Sequence, residues 1–367
     1  MQTLRYAYFH NLEDVDAPVS FVSAKGLLDA ISAGALHAAK LPSFQIARKS
    51  HGSTTSESAG QHEFLAPPLG PDPTDRTTII NLAKMTSDSY VQSPDETGWL
   101  NTSMPFNYSS SFGWSTDGLR GHIFSDTYNN TVIVSFKGTT VDPREKYYSS
   151  DRFNDNLLFS CCCAAQRPDP YPYGTVCGCN SAVYTCNETC ITSELAQEGR
   201  YYPVAMSLMM HNVTRMYPGA DYWVIGHSMG GAVASLIGLT WGLPTVTFEA
   251  PGNELPAIRL GLDPDAGPPA YHFGNTADPV FMGACNGWSS SCGVAGYAFE
   301  SQCFTGKRCV YDTVGNFGWH LSIANHRINT VIPEVLEKYN ETASCAWDDE
   351  CVDCAMWNFN VTQRGAR

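Results

Sequence analysis

Short apolar runs recur along the chain, and each of them ends in a polar or glycine-containing junction. These runs are rich in β-branched and aromatic residues, which favours buried β-strands. The strands predicted in this way cover residues 119–124, 131–136, 222–225, 245–248 and 270–273.

Between these runs, apolar residues recur at intervals of three and four, which predicts amphipathic helices. Residues 79–90 and 200–217 follow this pattern, and so do residues 328–339, where Pro333 must kink the helix or lie in its first turn. Because helices alternate with strands, we expect an α/β fold with a mostly parallel central sheet flanked by helices.

Composition divides the chain into three parts. Residues 1–78 contain scattered helix-forming stretches and then, from residue 50, a run rich in Ser, Thr, Gly and Pro that is typical of a flexible linker. Residues 79–340 hold the predicted strands and helices and form the expected catalytic domain. Residues 341–367 form a cysteine-containing C-terminal tail.

Acidic residues outnumber basic ones by 36 to 22, which gives a formal charge of −14. This charge opposes binding to nucleic acid, and it opposes binding to an anionic membrane by charge alone. Any membrane contact must therefore be apolar or occur at acidic pH.

Fourteen cysteines lie in three clusters, at residues 161–190, 285–309 and 345–354. This usage predicts disulfides formed in an oxidising compartment, and we also expect disulfide-rich insertions in the fold. Zinc is the alternative, because Cys351 and Cys354 have ligand spacing, although no matching second pair follows them. Seven Asn-x-Ser/Thr sites also indicate the secretory lumen, where glycans are added. These sites are Asn101, Asn107, Asn129, Asn187, Asn212, Asn340 and Asn360.

The chain has no apolar run approaching the roughly 18 to 20 residues that cross a bilayer, and its first residues lack the apolar core of a signal peptide. Disulfides and glycans nevertheless require entry to the secretory route. We therefore expect a native signal or membrane anchor upstream, and a full-length reading frame without such a segment would refute this.

The sequence Gly226-His227-Ser228-Met229-Gly230 follows a predicted strand and precedes small residues in a helical pattern. Gly-x-Ser-x-Gly between a strand and a helix is typical of a nucleophile elbow, a strained turn that keeps the serine hydroxyl free of its neighbours. The pattern predicts Ser228 as a nucleophile in an α/β-hydrolase fold.

A serine nucleophile needs a histidine base and a carboxylate that orients it, and in α/β-hydrolases the order along the chain is serine, acid, histidine. Asp278 follows the strand at 270–273 and precedes Pro279, which cannot continue sheet pairing. We therefore predict Asp278 as the acid. Three other aspartates are less suitable, since two lie in a Pro- and Gly-rich loop and one comes too late: Asp263, Asp265 and Asp312.

Two histidines fall in the window for the base, and we favour His326 over His320. His326 stands immediately before the final helix, where a loop side chain can reach over the strand ends, whereas His320 could pack beneath it beside Trp319. We expect His227, inside the elbow, to be structural, because neighbouring side chains across so tight a turn point apart.

The strand at 131–136 ends in Lys137-Gly138-Thr139-Thr140, a strand-to-loop junction of the kind that completes an oxyanion hole. Gly138 permits a close approach to substrate, so we predict the N–H of Thr139 as one donor. The N–H of Met229, the residue after the nucleophile, is the other. The alternative is that this sequence only ends a strand.

Residues 141–159 follow the oxyanion strand and are well placed to form a lid whose exposed apolar residues meet lipid. A structural role is the compatible alternative, in which Cys161, Cys162 and Cys163 attach an insertion to the domain. If deletions in 141–159 left activity on aggregated and monomeric esters equally unchanged, the lid hypothesis would fail.

With these residues in place, the chain resembles the class 3 lipases and, within them, the fungal autophagic lipases, over roughly residues 79–340. The class pattern is carried by Ser135-Phe136-Lys137-Gly138-Thr139, Gly226-His227-Ser228-Met229-Gly230-Gly231-Ala232 and Asp278-Pro279-Val280. The narrower match is carried by Phe112-Gly113-Trp114, Asp117-Gly118-Leu119-Arg120-Gly121-His122, Met282-Gly283-Ala284-Cys285-Asn286-Gly287 and His326-Arg327-Ile328.

The resemblance implies an acyl hydrolase that acts on phospholipid and neutral lipid, including membranes of autophagic bodies and intravacuolar vesicles. It also implies an N-terminal anchor and delivery to the vacuole lumen through the endoplasmic reticulum and multivesicular bodies. No metal or organic cofactor is expected. The alternatives are a soluble-ester hydrolase, similar to a cutinase or feruloyl esterase, and a non-catalytic disulfide-rich lipid-binding module.

Overall fold

The computed structural model describes residues 70–360 except 104, 117, 165–173, 266, 288 and 349. The predicted N-terminal segment and most of the predicted linker lie outside the described residues. The helices are α1 Arg76–Asp88, α2 Tyr148–Phe159, α3 Glu188–Leu195, α4 Tyr201–Ser207, α5 Thr214–Met216, α6 Met229–Trp241, α7 Glu254–Arg259, α8 Ser291–Val294, α9 Thr313–Phe317 and α10 Ile328–Val331. The strands are β1 Phe106–Phe112, β2 Gly121–Asp126, β3 Thr131–Phe136, β4 Asn180–Ala182, β5 Thr185–Asn187, β6 Asp221–His227, β7 Thr245–Phe248, β8 Tyr271–Asn275, β9 Lys307–Tyr311, β10 Cys345–Ala346 and β11 Asn358–Asn360.

Eight strands form one central sheet in the order β1-β2-β3-β6-β7-β8-β9-β10. The five strands from β3 to β9 in this order run parallel, whereas β1 and β2 at one edge and β10 at the other pair antiparallel. The predicted mostly parallel sheet is therefore confirmed. A separate sheet of three short strands has the order β11-β5-β4.

All five predicted strands correspond to strands of the central sheet, but its other three strands, β1, β9 and the two-residue β10, were not predicted. The sequence of β1 resembles a turn-rich connection, because it contains three successive serines. In the structure, its pairing with β2 is interrupted between Tyr108 and Ser110. β9 begins with Lys307 and Arg308, so its apolar part is too short to be recognised as a strand from the sequence.

The sheet has an apolar core on each face, because successive strand residues point to opposite sides. In β3, Val132, Val134 and Phe136 belong to one core, and Ile133 belongs to the other. The elbow helix α6 packs against the first face together with α4, while α1 and the C-terminal helical segment cover the second. Each fully buried Val or Phe contributes roughly 1.5 to 3 kcal/mol relative to exposure.

The helix predicted at 200–217 is confirmed from Tyr201 to Met216, although a π-helical segment, Leu208–Val213, separates α4 from α5. The final helix also departs from regular geometry. After α10, a π-helical segment covers Ile332–Leu336, with Pro333 near its start. Proline has no N–H for the regular i to i−4 bond, which explains this departure.

Seven disulfides use all fourteen cysteines, so the predicted disulfides are confirmed. The pairs are Cys161–Cys354, Cys162–Cys186, Cys163–Cys177, Cys179–Cys190, Cys285–Cys292, Cys303–Cys351 and Cys309–Cys345. The zinc alternative was wrong, because Cys351 and Cys354 have no free thiolate to offer.

The triple cysteine attaches its insertion to the domain, as the structural alternative predicted. Three disulfides tie the segment after residue 340 to the central domain, and β10 pairs with β9. The boundary at residue 340 stays a prediction.

The segment proposed as a lid is partly a fixed element of the domain. Its C-terminal half forms α2, and Leu157, Leu158 and Phe159 are buried in the core. Val141, at its N-terminal end, is exposed. Any opening motion of residues 141–159 stays a prediction. Within the described part of the chain, no helix combines the length and the apolar character that a membrane crossing requires.

Candidate active site

Ser228 lies between the end of β6 and the start of α6, in the turn predicted to be an elbow. Its φ of 57° and ψ of −133° place it in a backbone region that favours glycine. The Ser228 N–H donates to the carbonyl of Phe248 on β7 (3.0 Å), which ties the turn to the sheet. Such strain persists only where the surroundings fix it, and here strand and helix hold both ends of the turn.

The glycines of the elbow are required by close contacts between backbones. A Cβ on Gly226 would lie 2.4 Å from the carbonyl carbon of Gly230, and a Cβ on Gly230 would lie 2.3 Å from the carbonyl oxygen of Phe136. Any other residue at either position would push α6 away from the sheet.

Side chains from three loops meet at Ser228. His326 Nε2 lies 2.9 Å from Ser228 Oγ, and His326 Nδ1 lies 2.7 Å from Asp278 Oδ2. Ser228 follows the carboxyl end of β6 and Asp278 follows that of β8, while His326 lies in the segment just before α10. The three residues therefore meet at the carboxyl edge of the parallel strands. Asp278 is fully buried, and its other oxygen accepts the Val280 N–H (2.8 Å).

The electrostatics of Asp278 suit a carboxylate that faces a histidine. Burial acts to raise its pKa, but the charge and hydrogen bond of His326, together with a hydrogen bond from Glu249, outweigh burial and leave the pKa below its usual value. Asp278 therefore stays ionised beside the imidazole, where an anion stabilises the protonated ring.

The alternative candidates lie elsewhere. His320 is exposed on the loop before His326, and its backbone carbonyl accepts a hydrogen bond from Asn325. Asp263 and Asp265 are exposed in the loop after α7, and Asp312 caps α9 by accepting from Gly315 N. None of these side chains meets Ser228 in the contacts of the described residues.

His227 connects two of the loops that build the site. One ring nitrogen, Nε2, lies 2.7 Å from the backbone carbonyl of His326, and the other lies 2.5 Å from the hydroxyl of Tyr90. The carbonyl can only accept, so Nε2 carries the proton and Nδ1 accepts from Tyr90. Burial, and then the nearby His326, lower the pKa of His227 to about 3. A neutral His227 that holds the backbone of His326 fits the structural role expected for it.

The residues predicted to form the oxyanion hole lie close to Ser228. A Cβ on Gly138 would lie 3.0 Å from Ser228 Cβ and 2.5 Å from the carbonyl oxygen of His227, so the β3 junction approaches the nucleophile closely. Met229 is the first residue of α6, where backbone N–H groups have no partner within the helix. The side chain of Thr139 donates from Oγ1 to Asp155 Oδ2 (2.8 Å), and this hydrogen bond holds the residue whose N–H is the predicted donor.

Buried charges support the Thr139 loop. Arg120 and Asp151 form an ion pair with an N to O distance of 2.8 Å, and both side chains are at most 2% exposed. Asp151 also accepts the N–H of Thr140 (2.7 Å). Lys137 donates to the Gly138 carbonyl (3.1 Å), and burial, followed by the nearby Arg120, lowers its pKa to about 7. Burial raises the pKa of Asp155 well above its ordinary value.

Exposed apolar side chains stand on the loops that carry these residues. Val141 is two residues beyond Thr139, and Leu321 and Ile323 precede His326 in its loop. Val294, the last residue of α8, is also exposed and lies two residues beyond the Cys285–Cys292 disulfide, in the segment that follows Asp278.

Relatives of known name show the family. A protein of Penicillium rubens named Putative lipase ATG15 is 47% identical over 303 residues, which cover 79% of this chain and 45% of the relative. The protein of the same name from Vanderwaltozyma polyspora is 46% identical over 301 residues, covering 79% of this chain and 53% of the relative.

The chain belongs to the ATG15 lipase family. It spans about half the length of the curated relatives it matches. No family model matches the chain. Among solved structures, a lipase from Rhizopus microsporus var. chinensis covers 74% of this chain and 96% of its own, with a TM-score of 0.35 and 17% identity. A triacylglycerol lipase from Penicillium expansum covers 66% of this chain and 82% of its own, with a TM-score of 0.35 and 16% identity.

In this member of the ATG15 lipase family, several residues around Ser228 could not be assigned to the site from the sequence. Tyr90, Arg120, Asp151 and Glu249 are separated from the motifs in sequence, and their types alone do not reveal burial. Arg120 carried a signal only as part of the string that resembles the autophagic lipases. Glu249 directly follows the predicted strand at 245–248, and an acid at the end of a parallel strand was the available signal for it.

Proposed function

We propose that the chain is a serine hydrolase that cleaves carboxylic esters of lipids. The single observation that carries the proposal is the continuous hydrogen-bonded series from Ser228 Oγ through His326 to Asp278. The alternatives are a soluble-ester hydrolase and a non-catalytic lipid-binding module, and product analysis distinguishes them.

In the proposed reaction, Ser228 Oγ attacks the ester carbonyl carbon while His326 Nε2 accepts the hydroxyl proton. The carbonyl oxygen becomes an oxyanion, and the N–H groups of Thr139 and Met229 donate to it. The ester C–O bond then breaks, and His326 returns the proton to the leaving alcohol. Asp278 stays ionised throughout, orients the ring and stabilises the imidazolium.

The second half of the reaction releases the acyl group by the same route. Water attacks the acyl-enzyme carbonyl and gives a proton to His326. The bond to Ser228 Oγ then breaks, and Oγ recovers the proton. No redox step occurs, and the products are a fatty acid and an alcohol.

Two observations support a lipid as the substrate. The relatives at 46 and 47% identity are named lipases. Exposed apolar residues, among them Val141, Leu321 and Ile323, stand on the loops that carry the proposed oxyanion donor and base. Apolar contact would offset the repulsion between a chain of net charge −14 and an anionic surface.

The finer part of the proposal concerns substrate class and place of action. We propose phospholipid membranes, including those of autophagic bodies and intravacuolar vesicles, and neutral lipid as substrates in the vacuole lumen. Seven disulfides and seven glycosylation sequences support passage through the endoplasmic reticulum, and an acidic lumen would reduce the repulsion from anionic lipid by protonating histidines.

The test is hydrolysis of phosphatidylcholine vesicles, the same vesicles with phosphatidylserine, a triolein emulsion and a soluble butyrate ester, with products identified by mass spectrometry. We expect fatty acid from vesicles, and a loss of about 10⁴-fold or more in kcat for Ser228→Ala and His326→Ala. His320→Ala is the matched control and should stay within a few-fold of wild type.

Each alternative predicts a different result. Hydrolysis of the soluble ester alone would favour the soluble-ester hydrolase. Binding to vesicles with no hydrolysis of any ester would favour the lipid-binding module.

A further inference from the structure

Glu249 is a buried acid that the proposed mechanism does not use. It follows the last residue of β7, its exposed area is zero, and its φ is 48°. Glycine would occupy this left-handed backbone region without strain. A charged residue type in a strained and buried position requires partners that make up for the lost solvation.

The partners of Glu249 belong to the Asp278 and His326 loops. The N–H of Asn275 donates to Glu249 Oε2 (3.2 Å), and Asn275 Nδ2 donates to Oε1 (2.8 Å). The same Asn275 side chain donates to the backbone carbonyl of Asn325, the residue before His326 (3.1 Å). Glu249 also hydrogen-bonds the carboxylate of Asp278.

A hydrogen bond between two carboxyl groups requires a proton on one of them. Each carboxyl group accepts two hydrogen bonds, Glu249 from Asn275, and Asp278 from His326 Nδ1 and the Val280 N–H. Only Asp278 faces an imidazole, which is a cation when it is protonated and then favours an ionised partner. Burial, followed by the charge of Asp278, raises the pKa of Glu249 well above its ordinary value. The proton of the pair therefore belongs to Glu249. The other titratable group at this point is His227, which lies against His326 and is held neutral.

We propose that Glu249 is a positioning residue, which stays protonated and donates a hydrogen bond to Asp278 throughout the reaction. The inference rests on the proposed hydrolase function. The proposal gives Glu249 no contact with substrate or with Ser228, and it acts through Asp278. A neutral donor lowers the basicity of the Asp278 carboxylate, so the proton taken from Ser228 stays on His326 and can return to the leaving group. Through Asn275, the same residue fixes the loop that precedes His326.

The first test compares Glu249→Gln with Glu249→Met by the pH dependence of kcat and kcat/KM on a soluble butyrate ester. Glutamine keeps a neutral donor, so kcat should stay within about 3-fold and the acidic limb of the profile should not move. Methionine has no donor, so we expect kcat to fall about 10- to 100-fold with little change in KM. The acidic limb should move to higher pH, because Asp278 and His326 both become easier to protonate.

Two kinetic results would overturn the proposal. A downward shift of the acidic limb in Glu249→Gln would mean that an anion had been removed, so that Glu249 is ionised in the native protein. An unchanged rate and profile in Glu249→Met would leave Glu249 with a packing role only. Thermal unfolding of both variants shows whether the methionine variant folds, and the glutamine variant keeps the test informative if it does not.

The second test does not depend on catalysis. Infrared difference spectra of wild type minus Glu249→Gln at pH 7 should show the carbonyl band of one protonated carboxyl group. If that band is present but wild type hydrolyses no ester, the proposed function fails while the protonated pair stands. If wild type hydrolyses esters and the band is absent, the inference about Glu249 is wrong.

Discussion

The histidine side and the oxyanion side of Ser228 each bury two carboxyl groups, but they compensate the charge with different partners. On the oxyanion side, Asp151 pairs with the permanent cation Arg120, and Asp155 lies behind Thr139. On the histidine side, Asp278 faces His326, whose charge depends on its protonation, with Glu249 behind it. On both sides the second carboxyl group has a raised pKa.

The difference follows from what each side is proposed to do. The oxyanion side receives charge on the substrate, so its own charges can be fixed in advance. The histidine side gains and loses a proton during the proposed reaction, so a permanent cation there would oppose protonation of His326. The permanent ion pair of Arg120 and Asp151 is therefore expected to affect stability strongly, whereas the contact of Asp278 with His326 is expected to affect mainly the rate.

Removal of the permanent cation should have the largest effect on stability. Arg120→Met leaves Asp151 buried without its ion partner, and we expect a loss of about 3 to 5 kcal/mol in the free energy of unfolding, measured by urea denaturation with disulfides intact. Arg144→Met is the matched control, since the Arg144–Asp142 pair is exposed and its loss should leave the free energy of unfolding nearly unchanged. Equal losses in both variants would contradict a special role for the buried pair.

Asp155 and Glu249, the two acids with raised pKa values, should have a smaller effect on the free energy of unfolding, and this effect should depend on pH. Each has a folded pKa above its unfolded value, so between these values the folded state holds a proton that the unfolded state has lost, and stability falls as pH rises. Relative to Glu249→Gln or Asp155→Asn, wild type should therefore lose up to about 1.4 kcal/mol per pH unit from pH 5 upwards.

Denaturation of wild type and each variant at several pH values measures this difference. Buried histidines with lowered pKa values, such as His122 and His272, are common to all the proteins and cancel. Parallel stability curves would show that the two acids are ionised in the folded state.

The smallest expected effect concerns the hydroxyl of Thr139. Thr139→Val keeps the backbone N–H that we propose as oxyanion donor but loses the contact with Asp155, so kcat on a soluble ester should fall about 10-fold. Asp155→Asn keeps a hydrogen-bonding partner for Thr139 and should stay within about 3-fold. A larger loss in the asparagine variant would mean that the acid proton of Asp155 has a role beyond this contact.

Part of the site could be predicted from the sequence alone. Ser228, Gly226 and Gly230 lie in one local pattern, so their geometry was predictable from neighbours alone. Asp278 and His326 were predictable because the order of strands brings carboxyl ends to one edge, and His320 was disfavoured because of its place in the loop.

The second carboxyl group on each side was not predictable. Asp155 lies in a helix whose polar pattern resembles a surface, and the position of Glu249 at the end of a strand does not reveal that the side chain is buried. Their burial depends on contacts with residues 16 and 26 positions away in the chain, Thr139 and Asn275. The disulfide pairing could not be predicted for the same reason, because it joins residues that are distant in the chain. Cys161 and Cys354, for example, are 193 positions apart.

Covalent labelling with a fluorophosphonate tests the central claim, that His326 activates the hydroxyl of Ser228, most directly. Wild type and His320→Ala should incorporate one label per chain, located at Ser228 by peptide mapping, and His326→Ala should react at least about 10³-fold more slowly. Labelling at another residue, or an unchanged rate in His326→Ala, would contradict the account.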